Sequence, residues 1–595
     1  MLIKHVHKKE KVEDNKINLK AVMLINIIFF LIVWSFFGKR IEQQYYGYIP
    51  VDSRKSGLEM IQNNSGELVV NTVQKHSPGE VGGIKAGDII VGINGELITS
   101  PDLAAQRLDT LNKGEILEIV LNRDGRKITA YISNKNHMTI NRASKSQELS
   151  FTARLFVMII CVKLTLVMFY LIYKNIINRM YIVLTFAAHM LLVGLIFGVY
   201  NVVDAFFAIK FNTISLLLGM GIISIVLDEA GVFDYVAYKM NKFAKGSTMK
   251  ILVLCCFVTY IFSLLVNNLT TILVIVPMTL NLALLADFDP KPVIIGEIIS
   301  SNLGGASTMV GDFPNMLISA ETNVTFNDFI FFMMPICLIL FGVLLIYLKL
   351  TTEKMDMKMK IDVPKGKKIN KAQKPEFTPK EWKAIRRAVF VLIHVIFLFS
   401  ISPRLSLQPS AIALFGGLSL FLFSGINRTS IYNRIGFNDI LFFVGLFIMV
   451  GGIEASGLIH YISQGIAFLS LGKPWFLCLI LMWSAAFVTS ILSAGPTTAF
   501  FFPIVAGVAI APSHHIIWWS LSLGVLAGSS STIVGATSGP VATGLVENFC
   551  SLYRINLKDG NTILYSQFTK IGIPIMFLFL GISSIYILWL YAKLS

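Results

Sequence analysis

The stretch SNLGGASTMVGDFPN, residues 301–315, interrupts an apolar run with glycine, small hydroxyl residues, asparagine, proline and an aspartate. Apolar sequence flanks it on both sides, PVIIGEII before it and MLISA after it. In hydrocarbon a backbone amide or carbonyl without a partner costs several kcal/mol, so a helix can break there only where protein, water or a ligand satisfies the freed groups. The stretch therefore predicts a broken helix that lines a site inside a membrane.

The composition supports a membrane location. Of the 595 residues, 54% are hydrophobic and only 14% are charged, with a mean hydropathy of +0.68, which is too apolar for a soluble globular protein. The net charge of +16 does not indicate a nucleic acid partner, because the basic residues cluster at the N-terminus and in residues 354–387, as in cytoplasmic loops. The six cysteines lie in or beside apolar segments without metal-ligand spacing, so we expect packing residues and no metal site.

Internal similarity divides most of the chain into two related halves. STMVG at 307–311 matches STIVG at 531–535, which lies 224 positions later. DEAGVFDY at 228–235 matches EASGLIHY at 454–461, which lies 226 positions later. A nearly constant offset over this length predicts a structural repeat. The predicted domains are a basic cytoplasmic N-terminus (1–20), a transmembrane anchor (21–38), a PDZ-like domain (50–136), a first repeat (151–350), a basic cytoplasmic linker (351–387) and a second repeat (388–595).

Charge placement predicts that the repeats are inverted. With the N-terminus inside the cell, the lysine-rich segment 238–250 and the linker both fall inside if the helical run 249–286 turns back as a re-entrant hairpin. The predicted fold class is a polytopic α-helical membrane protein with inverted structural repeats, two re-entrant hairpins and two broken helices. No small-x-small cleavage site follows the apolar segment near the N-terminus, which favours an uncleaved anchor over a signal peptide. We expect a bacterial inner (cytoplasmic) membrane.

Residues 50–136 have the character of a small extracytoplasmic domain of α/β, mainly β, type. β-branched stretches alternate with glycine-rich turns. SPGEVGGIKAGDIIVGING at 77–95 resembles a bacterial-type PDZ domain. The resemblance implies that an extended peptide is added to a sheet edge and that backbone amides hold its carboxylate; a module that docks on its own membrane domain is the alternative. The candidate peptide-binding loop is SGLEM, that is Ser56, Gly57, Leu58, Glu59 and Met60.

NNLTTILVIVP at 267–277, followed by ISSNLGGASTMVGDFPNMLI at 299–318, resembles the ion transporter superfamily. That superfamily includes arsenite permeases, NhaD-type sodium/proton antiporters, the melanosomal P protein, citrate transporters and divalent anion:sodium symporters. The similarity spans roughly residues 180–592. It implies paired hairpins and broken helices around a central site, elevator-like motion and a homodimer formed through a scaffold domain.

Small polar residues and glycine interrupt the apolar sequence at four places, around residues 268, 304, 495 and 530. Each candidate substrate or ion ligand lies at one of these interruptions and offers a side-chain amide, a hydroxyl or, at glycine, a backbone that a ligand can approach closely. The alternative for each interruption is close helix packing through small residues. Asp312 either contacts a ligand or caps the next half-helix. Glu297, buried in an apolar run, is a candidate proton or cation site or else a hydrogen-bonded structural carboxyl. The candidate ligands are Asn267, Asn268, Thr270, Thr271, Asn302, Gly304, Gly305, Ser307, Thr308, Asp312, Asn315, Ser493, Thr497, Thr498, Ser530, Ser531 and Thr532.

The first hairpin tip carries Asn267-Asn268, where antiporter-like members of the superfamily often carry Asp-Asn. A neutral tip leaves hydroxyls, amides and half-helix N-termini, which suit an anion. The sequence predicts a secondary transporter of a small anion or metabolite, such as a carboxylate or oxyanion, with sodium or proton coupling left open and no cofactor apart from bound Na+. The alternative is a transport-inactive scaffold or sensor that acts through the PDZ-like domain. We expect no enzyme, because the sequence has neither the paired histidines of H-E-x-x-H nor a G-x-S-x-G motif.

Overall fold

The structure is a computed structural model, in which the chain forms two compact units. One unit comprises Phe37–Leu155, and the other contains Phe156–Ser595. The predicted anchor, the basic N-terminus, Ser56, Gly57 and most of the linker lie outside the described residues. The structure describes residues 58–62, 68–73, 84–85, 87–93, 96–97, 116–123, 126–133, 151–174, 177–233, 235, 248–286, 288–352, 377–405, 407–508, 515–553 and 560–594.

The smaller unit is an antiparallel sheet. Its path runs β1-β2-β3-β5-β6, and β4 pairs with β3. The alternation of β-branched residues places Val70, Ile90, Ile119 and Leu121 in its core, each at most 2% exposed. This sheet agrees with the predicted PDZ-like domain. The strands are β1 (Leu58–Gln62), β2 (Leu68–Val73), β3 (Ile89–Ile93), β4 (Glu96–Leu97), β5 (Ile116–Arg123) and β6 (Arg126–Ser133).

The larger unit is helical. In its first half the described helices are α1 (Phe151–Lys174), α2 (Arg179–Phe197), α3 (Val202–Ala208), α4 (Phe211–Glu229), α5 (Thr248–Ser263), α6 (Asn268–Ala286), α7 (Lys291–Ser307), α8 (Phe313–Glu321) and α9 (Met334–Thr352). In its second half they are α10 (Pro379–Leu405), α11 (Pro409–Phe423), α12 (Arg428–Arg434), α13 (Phe437–Ala455), α14 (Leu458–Leu469), α15 (Pro474–Leu492), α16 (Ala494–Ala506), α17 (Ile516–Ser529), α18 (Gly539–Tyr553) and α19 (Tyr565–Leu594).

Local signals in the sequence set the ends of these helices. Asn178 caps α2, because its side chain accepts a hydrogen bond from the backbone of Met180, and Gly198 ends the same helix at φ +68°. Asn201 and Asp204 form a reciprocal capping box at the start of α3. A short α-helix (Phe326–Asp328) and a π-helical turn (Phe329–Met333) lead directly into α9, so that Phe326–Thr351 forms one continuous helix. Within the described residues, eight helices are long and apolar enough to cross a membrane: α1, α2, α4, Phe326–Thr351, α10, α13, α15 and α19.

Among the described residues the helices follow the same order in both halves, except that α14 has no described counterpart in the first half. Each half has a long helix, an apolar helix, a short helix and a second apolar helix. A helix pair joined by a tight turn follows, α5–α6 in the first half and α15–α16 in the second. Two helices separated by an interruption come next, α7–α8 and α17–α18, and each half closes with a long helix.

The two halves pack into each other. Helix α4 of the first half packs on α11 of the second, and α2 packs on α13. Gly219 makes the first contact possible, because a Cβ there would lie 2.4 Å from the carbonyl carbon of Ala413. Helix α6 likewise packs on α18, and α8 packs on α16. The helices that follow the two tight turns and the two interruptions therefore contact helices of the opposite half.

Candidate functional site

The first tight turn, residues 264–267, is fastened by asparagine side chains. Asn267 accepts a hydrogen bond from the backbone N–H of Leu269 at 2.9 Å, so it acts as a cap of α6. Asn268 is 1% exposed and accepts from the Ser263 hydroxyl at 2.5 Å. A Cβ at Gly305 would lie 2.4 Å from the Asn268 side-chain oxygen, so glycine is needed there. Three predicted residues of the first half are thus brought into one place.

Asn302 connects the two interruptions. Its side-chain amide donates to the backbone carbonyl of Ser529, the last residue of α17, at 3.0 Å. Its side-chain oxygen lies 3.5 Å from the amide nitrogen of Asn268, which is the long limit for a hydrogen bond. The side chain is 1% exposed. Asn302 therefore joins the first tight turn to the point where the second half breaks.

Asn315 satisfies the carbonyls that the first interruption frees. Its amide nitrogen donates to the carbonyls of Ala306 at 2.9 Å and Thr308 at 2.8 Å. Its side-chain oxygen accepts from the Ser522 hydroxyl at 2.7 Å. Because Ser522 lies on α17, this bond also crosses between the halves. The residue is fully buried, and all of these bonds are internal to the protein.

Thr308 and Thr532 make the same pair of bonds in the two halves. The Thr308 hydroxyl donates to the carbonyl of Leu264 at 2.7 Å and accepts from the N–H of Gly311 at 3.2 Å. The Thr532 hydroxyl donates to the carbonyl of Ser490 at 2.6 Å and accepts from the N–H of Gly535 at 2.9 Å. Each hydroxyl has one proton. Both threonines use it on the backbone, and at most one lone pair remains for a ligand.

Most of the other predicted hydroxyls are also bonded to nearby backbone carbonyls. This applies to Thr271 (Val266, 3.4 Å), Ser307 (Leu303, 2.8 Å), Thr497 (Ser493, 2.9 Å), Thr498 (Ala494, 2.7 Å), Ser530 (Leu526, 2.9 Å) and Ser531 (Gly528, 2.6 Å). Thr270 is half-buried on α6. In these bonds each hydroxyl donates its single proton, so it can act toward a ligand only as an acceptor in the closed structure.

Close backbone packing explains the glycines of the interruptions. A Cβ at Gly304 would lie 2.3 Å from the carbonyl oxygen of Tyr260 on α5. At the matching position of the second half, a Cβ at Gly528 would lie 2.2 Å from the carbonyl oxygen of Ala486 on α15. Gly304 was predicted as a ligand-approach residue, and its environment is helix packing. Ser493, at the second tight turn, has φ +76°, which is uncommon for a residue other than glycine and marks a strained position.

Asp312 caps the helix that follows the first interruption. Its carboxylate accepts a hydrogen bond from the N–H of Phe313 at 2.9 Å, and Pro314 lies in the first turn of α8. The geometry therefore favours the capping alternative. Asp312 also faces a narrow gap, lined by Asn315, Ser522 and Leu526 among others, that has no room for a water-sized sphere. The site is closed in this conformation.

Glu297 lies outside the cluster formed by the interruptions. It is on α7, five residues before Asn302, which is about 7.5 Å along a helix. The side chain is 0% exposed, and its Oε1 atom accepts a hydrogen bond from the Thr279 hydroxyl. The predicted carboxyl is thus buried beside the site and not within it.

Three site residues were not predicted from the sequence. The Ser263 hydroxyl lies within hydrogen-bond distance of the Asn268 side-chain oxygen and of the carbonyl of Ser301. The Ser522 hydroxyl donates to Asn315, and the carbonyl of Ser529 accepts a hydrogen bond from Asn302. Ser263 could have been found from the repeat, because its match Thr489 is also a hydroxyl residue before a tight turn. Ser522 carries no such signal.

In the smaller unit the structure corrects one assignment. Leu58, Glu59 and Met60 were predicted as part of a binding loop, and they lie in strand β1. The strand ends the sheet path and pairs with β2, with an irregularity between Glu59 and Met60. Alternating hydrophobic residues in this short segment favour a strand over a loop. An end strand is the element to which an extended peptide can be added.

Comparison with known proteins identifies the membrane unit. A citrate transporter family model matches residues 169–524, and a PDZ domain model matches residues 69–123. The chain belongs to the citrate transporter family. The resemblance to the ion transporter superfamily and the presence of an N-terminal PDZ domain are therefore confirmed.

Several relatives are similar over most of the membrane unit. The magnetosome protein MamN of Magnetospirillum gryphiswaldense is 33% identical over 408 residues, which cover 68% of this chain and 93% of that protein. An uncharacterized transporter of Mycobacterium tuberculosis is 31% identical over 405 residues, covering 66% of this chain and 90% of the relative. The P protein of Sus scrofa is 24% identical over 457 residues, covering 64% of this chain and 53% of the relative.

Among solved structures, the Alcanivorax borkumensis YdaH transporter aligns with a TM-score of 0.43 at 14% identity, covering 64% of this chain and 84% of that chain. The family membership and the eight apolar helices make the protein an integral membrane transporter. The family implies a small-molecule substrate, and the PDZ domain implies peptide binding. Named relatives are transporters, in line with the prediction of a protein that is not an enzyme.

Proposed function

We propose that the protein is an elevator-type secondary active transporter of a small anion or metabolite, such as a carboxylate or oxyanion. The observation that carries the proposal is the junction of the two interruptions, where Asn302 bonds the carbonyl of Ser529. Around this junction the sequence of the two tight turns and the two interruptions contains one ionisable side chain, Asp312. Neutral side-chain amides and backbone N–H groups are donors that can recognise a carboxylate or oxyanion without a fixed positive charge.

Helix packing supports a moving unit. The first group of helices consists of the two helix pairs, α5–α6 and α15–α16, and the interrupted helices α7–α8 and α17–α18, which pack mostly among themselves. The second group consists of α2, α4, α11 and α13, in which α4 packs on α11 and α2 packs on α13. The contacts between the two groups include an aromatic stack, in which Phe313 of α8 lies on Phe443 of α13 with ring centroids 3.8 Å apart, and an ion pair at 3.4 Å between Lys210, just before α4, and Glu321 of α8. We assign the first group to transport and the second to a scaffold that forms the homodimer, with re-entrant hairpins in inverted repeats.

Coupling to a cation follows from the charge of the site. Asp312 places a carboxylate at the gap, and an anionic substrate beside an ionised carboxylate is repelled. A sodium ion or a proton that enters with the substrate offsets this charge. We therefore propose Na+ or H+ coupling, with Asp312 as the charged group nearest the substrate.

The test is transport by full-length protein in liposomes. Radiolabelled citrate, other carboxylates and inorganic oxyanions would be offered under imposed sodium, proton and voltage gradients. We expect at least one to accumulate, Asn302→Ala to lose accumulation, and His394→Gln, a change at an exposed side chain of α10, to retain it. The proposal fails if no candidate anion moves under any gradient while a characterised member of the family does so in parallel.

For the PDZ domain we propose an extracytoplasmic location in a bacterial inner membrane and recognition of an extended peptide along β1. The support is the position of β1 at the end of the sheet path. Peptide arrays probed with full-length protein in detergent would test it. We expect that a charge reversal at Glu59 changes which sequences bind, and an unchanged array would contradict the assignment to β1.

The second candidate function is a transport-inactive scaffold or sensor. The internal bonds of Thr308, Thr532 and Asn315 favour it, because they leave few free donors in the closed site. Peptide binding without flux, and with no effect of Asn268→Ala or Thr308→Ala on cell growth, would support this function over transport.

A further inference from the structure

A polar pocket lies inside the first half, away from the interruptions. Glu297 on α7 is 0% exposed, and among the described atoms its Oε2 has no conventional hydrogen-bond partner. Thr279 of α6 donates to the other carboxylate oxygen. The thiol of Cys255 lies beside the carboxyl and is at most a weak donor. Ser300, one turn along α7, has a buried hydroxyl that lies beside the Cys256 thiol and, among the described atoms, has no conventional hydrogen-bond partner.

The second half shows that the fold does not need this carboxyl. The repeat offset of 224 residues matches Glu297 with Leu521. The offset of 226 residues matches Thr279 with Val505 and Cys255 with Leu481. All three matching residues are apolar and at most 3% exposed. An ordinary apolar core thus fills the same place in the second half, where α17 and α15 pack as α7 and α5 do in the first.

The charge environment of the carboxyl contains no ion pair in the part of the chain that the structure describes. Among the described residues, no lysine, arginine or histidine forms an ion pair with Glu297. The titratable groups that act on it are Cys255 and its neighbour Cys256 on α5. Helix α17 contains no titratable residue, and Leu348 of α9 packs on the adjacent Gly296.

Two further groups of titratable side chains lie at the ends of α7. Lys291 donates to the carbonyl of Gly560, near Asp289 and Cys550. Tyr260 and Cys337 lie at the other end of α7, beside Ser307. A carboxylate buried without a cation or strong donors costs far more than a neutral carboxylic acid. The pocket therefore favours the protonated form.

We propose that Glu297 is the proton-carrying group of this transporter. In the closed conformation it is a neutral carboxylic acid, sealed between α5, α6 and α7. When the α5–α6 pair separates from α7 on one side of the membrane, the O–H bond breaks and the proton passes to an entering water molecule as hydronium. The carboxylate then takes a proton from hydronium on the other side, and the hydronium leaves as water. The inference rests on the proposed function, and it selects the proton over sodium for coupling.

Infrared spectroscopy tests the protonation state without any substrate. The full-length protein would be reconstituted in bilayers and measured at neutral pH in H2O and in 2H2O. We expect a C=O stretching band of a protonated carboxylic acid that is missing in Glu297→Gln and retained in Asp312→Asn. Thr279→Val, which copies the second half, should keep the band and shift it to higher frequency because one hydrogen bond is lost. An unchanged band in Glu297→Gln, or no band in the wild type, would overturn the proposal.

Transport measurements distinguish a proton-carrying Glu297 from one with only a structural role. With radiolabelled citrate as the first probe, Glu297→Gln should lose accumulation driven by a pH gradient and keep exchange of citrate across the membrane. Glu297→Leu, the residue of the second half, serves as a second variant in which an apolar core is restored. If citrate does not move in the wild type, the proposed function is in question while the infrared result still decides the protonation state. If Glu297→Gln retains pH-driven accumulation, this inference is wrong and the transport function stands.

Discussion

At the scale of single residues, two threonine hydroxyls hold the interruptions in place. Thr308 and Thr532 each tie an interrupted segment to the end of the first helix of the neighbouring pair. They also accept the N–H of a glycine three residues later. A chain that leaves a helix at membrane depth must bond its freed groups internally. Both threonines therefore act first as structural ties, and any ligand contact uses their remaining lone pair.

We predict that Thr308→Val and Thr532→Val destabilise the protein by similar amounts. Each removes two buried hydrogen bonds and leaves a carbonyl and an N–H unpaired, so the free energy of unfolding should fall by about 1–3 kcal/mol. Thermal unfolding in detergent, followed by tryptophan fluorescence, measures the change. Serine at either position should retain most of the stability. Thr569→Val, which removes a bond within α19, is the control; equal melting temperatures for all these variants would contradict the role of the ties.

The repeat carried most of what the sequence could predict about the site. The four interruptions were located because each has a partner at a nearly constant offset, and the matching threonines and glycines do occupy matching environments. The bonds of Asn302 and Asn315 could not be predicted, because their partners Ser529 and Ser522 lie in the other half. Such contacts depend on how the halves pack, and an offset within the sequence carries no information about them.

At the scale of helices, glycine sets how closely the interrupted helices approach the helix pairs. Helix α7 packs on α5 at Gly304, and α17 packs on α15 at Gly528. In both places the backbone of the neighbouring helix occupies the space that a Cβ atom would need at the glycine. Close approach of this kind replaces the hydrophobic effect as a source of association between helices in lipid.

Gly304→Ala and Gly528→Ala are expected to reduce the yield of folded protein. The added Cβ would lie 2.3 Å and 2.2 Å from backbone carbonyl oxygens, which cannot move without shifting a helix. Overpacking of this kind costs about 1–3 kcal/mol or more. Size-exclusion profiles of fluorescently tagged protein measure the yield.

Gly342→Ala and Gly581→Ala are matched controls for these variants. Both glycines lie in the long closing helices, where a Cβ would meet no atom within 4 Å. Since alanine favours a helix over glycine by up to about 1 kcal/mol, these variants should be unchanged or slightly more stable. A profile for Gly304→Ala that equals those of the controls would refute the packing argument.

The bond between Asn315 and Ser522 links an interrupted helix of one half to α17 of the other. We predict that Asn315→Ala and Ser522→Ala are coupled, with an interaction energy of about 1 kcal/mol in a double-mutant cycle on thermal stability. Ser520→Ala is a suitable comparison, because the Ser520 hydroxyl bonds the carbonyl of Ile516 within the same helix. Additive effects of Asn315→Ala and Ser522→Ala would indicate that the bond contributes little.

At the scale of the whole molecule, the two halves differ in polarity although they share an element order. The first half carries Asn268, Asn302, Asn315 and Glu297, while the second half has Ala494, Leu526, Gly539 and Leu521 at the matching offsets. The second half therefore contributes mainly backbone groups and hydroxyls to the junction. Under the proposed function, specificity and proton coupling are concentrated in the first half, and the second half supplies the symmetric frame that lets the unit move.

The proposed inverted arrangement of the repeats makes a prediction about sidedness. All six native cysteines are buried, so a single cysteine introduced elsewhere can be labelled in an otherwise wild-type chain. We expect Ser146→Cys, which follows the PDZ domain, to react with a membrane-impermeant maleimide in spheroplasts. Ala372→Cys, in the basic linker, should react only after permeabilisation, because lysine-rich loops stay in the cytoplasm. Wild-type protein controls for labelling of buried thiols. The proposed topology has an odd number of membrane crossings between the two positions. Reaction of both variants from the same side would mean an even number and would rule this topology out.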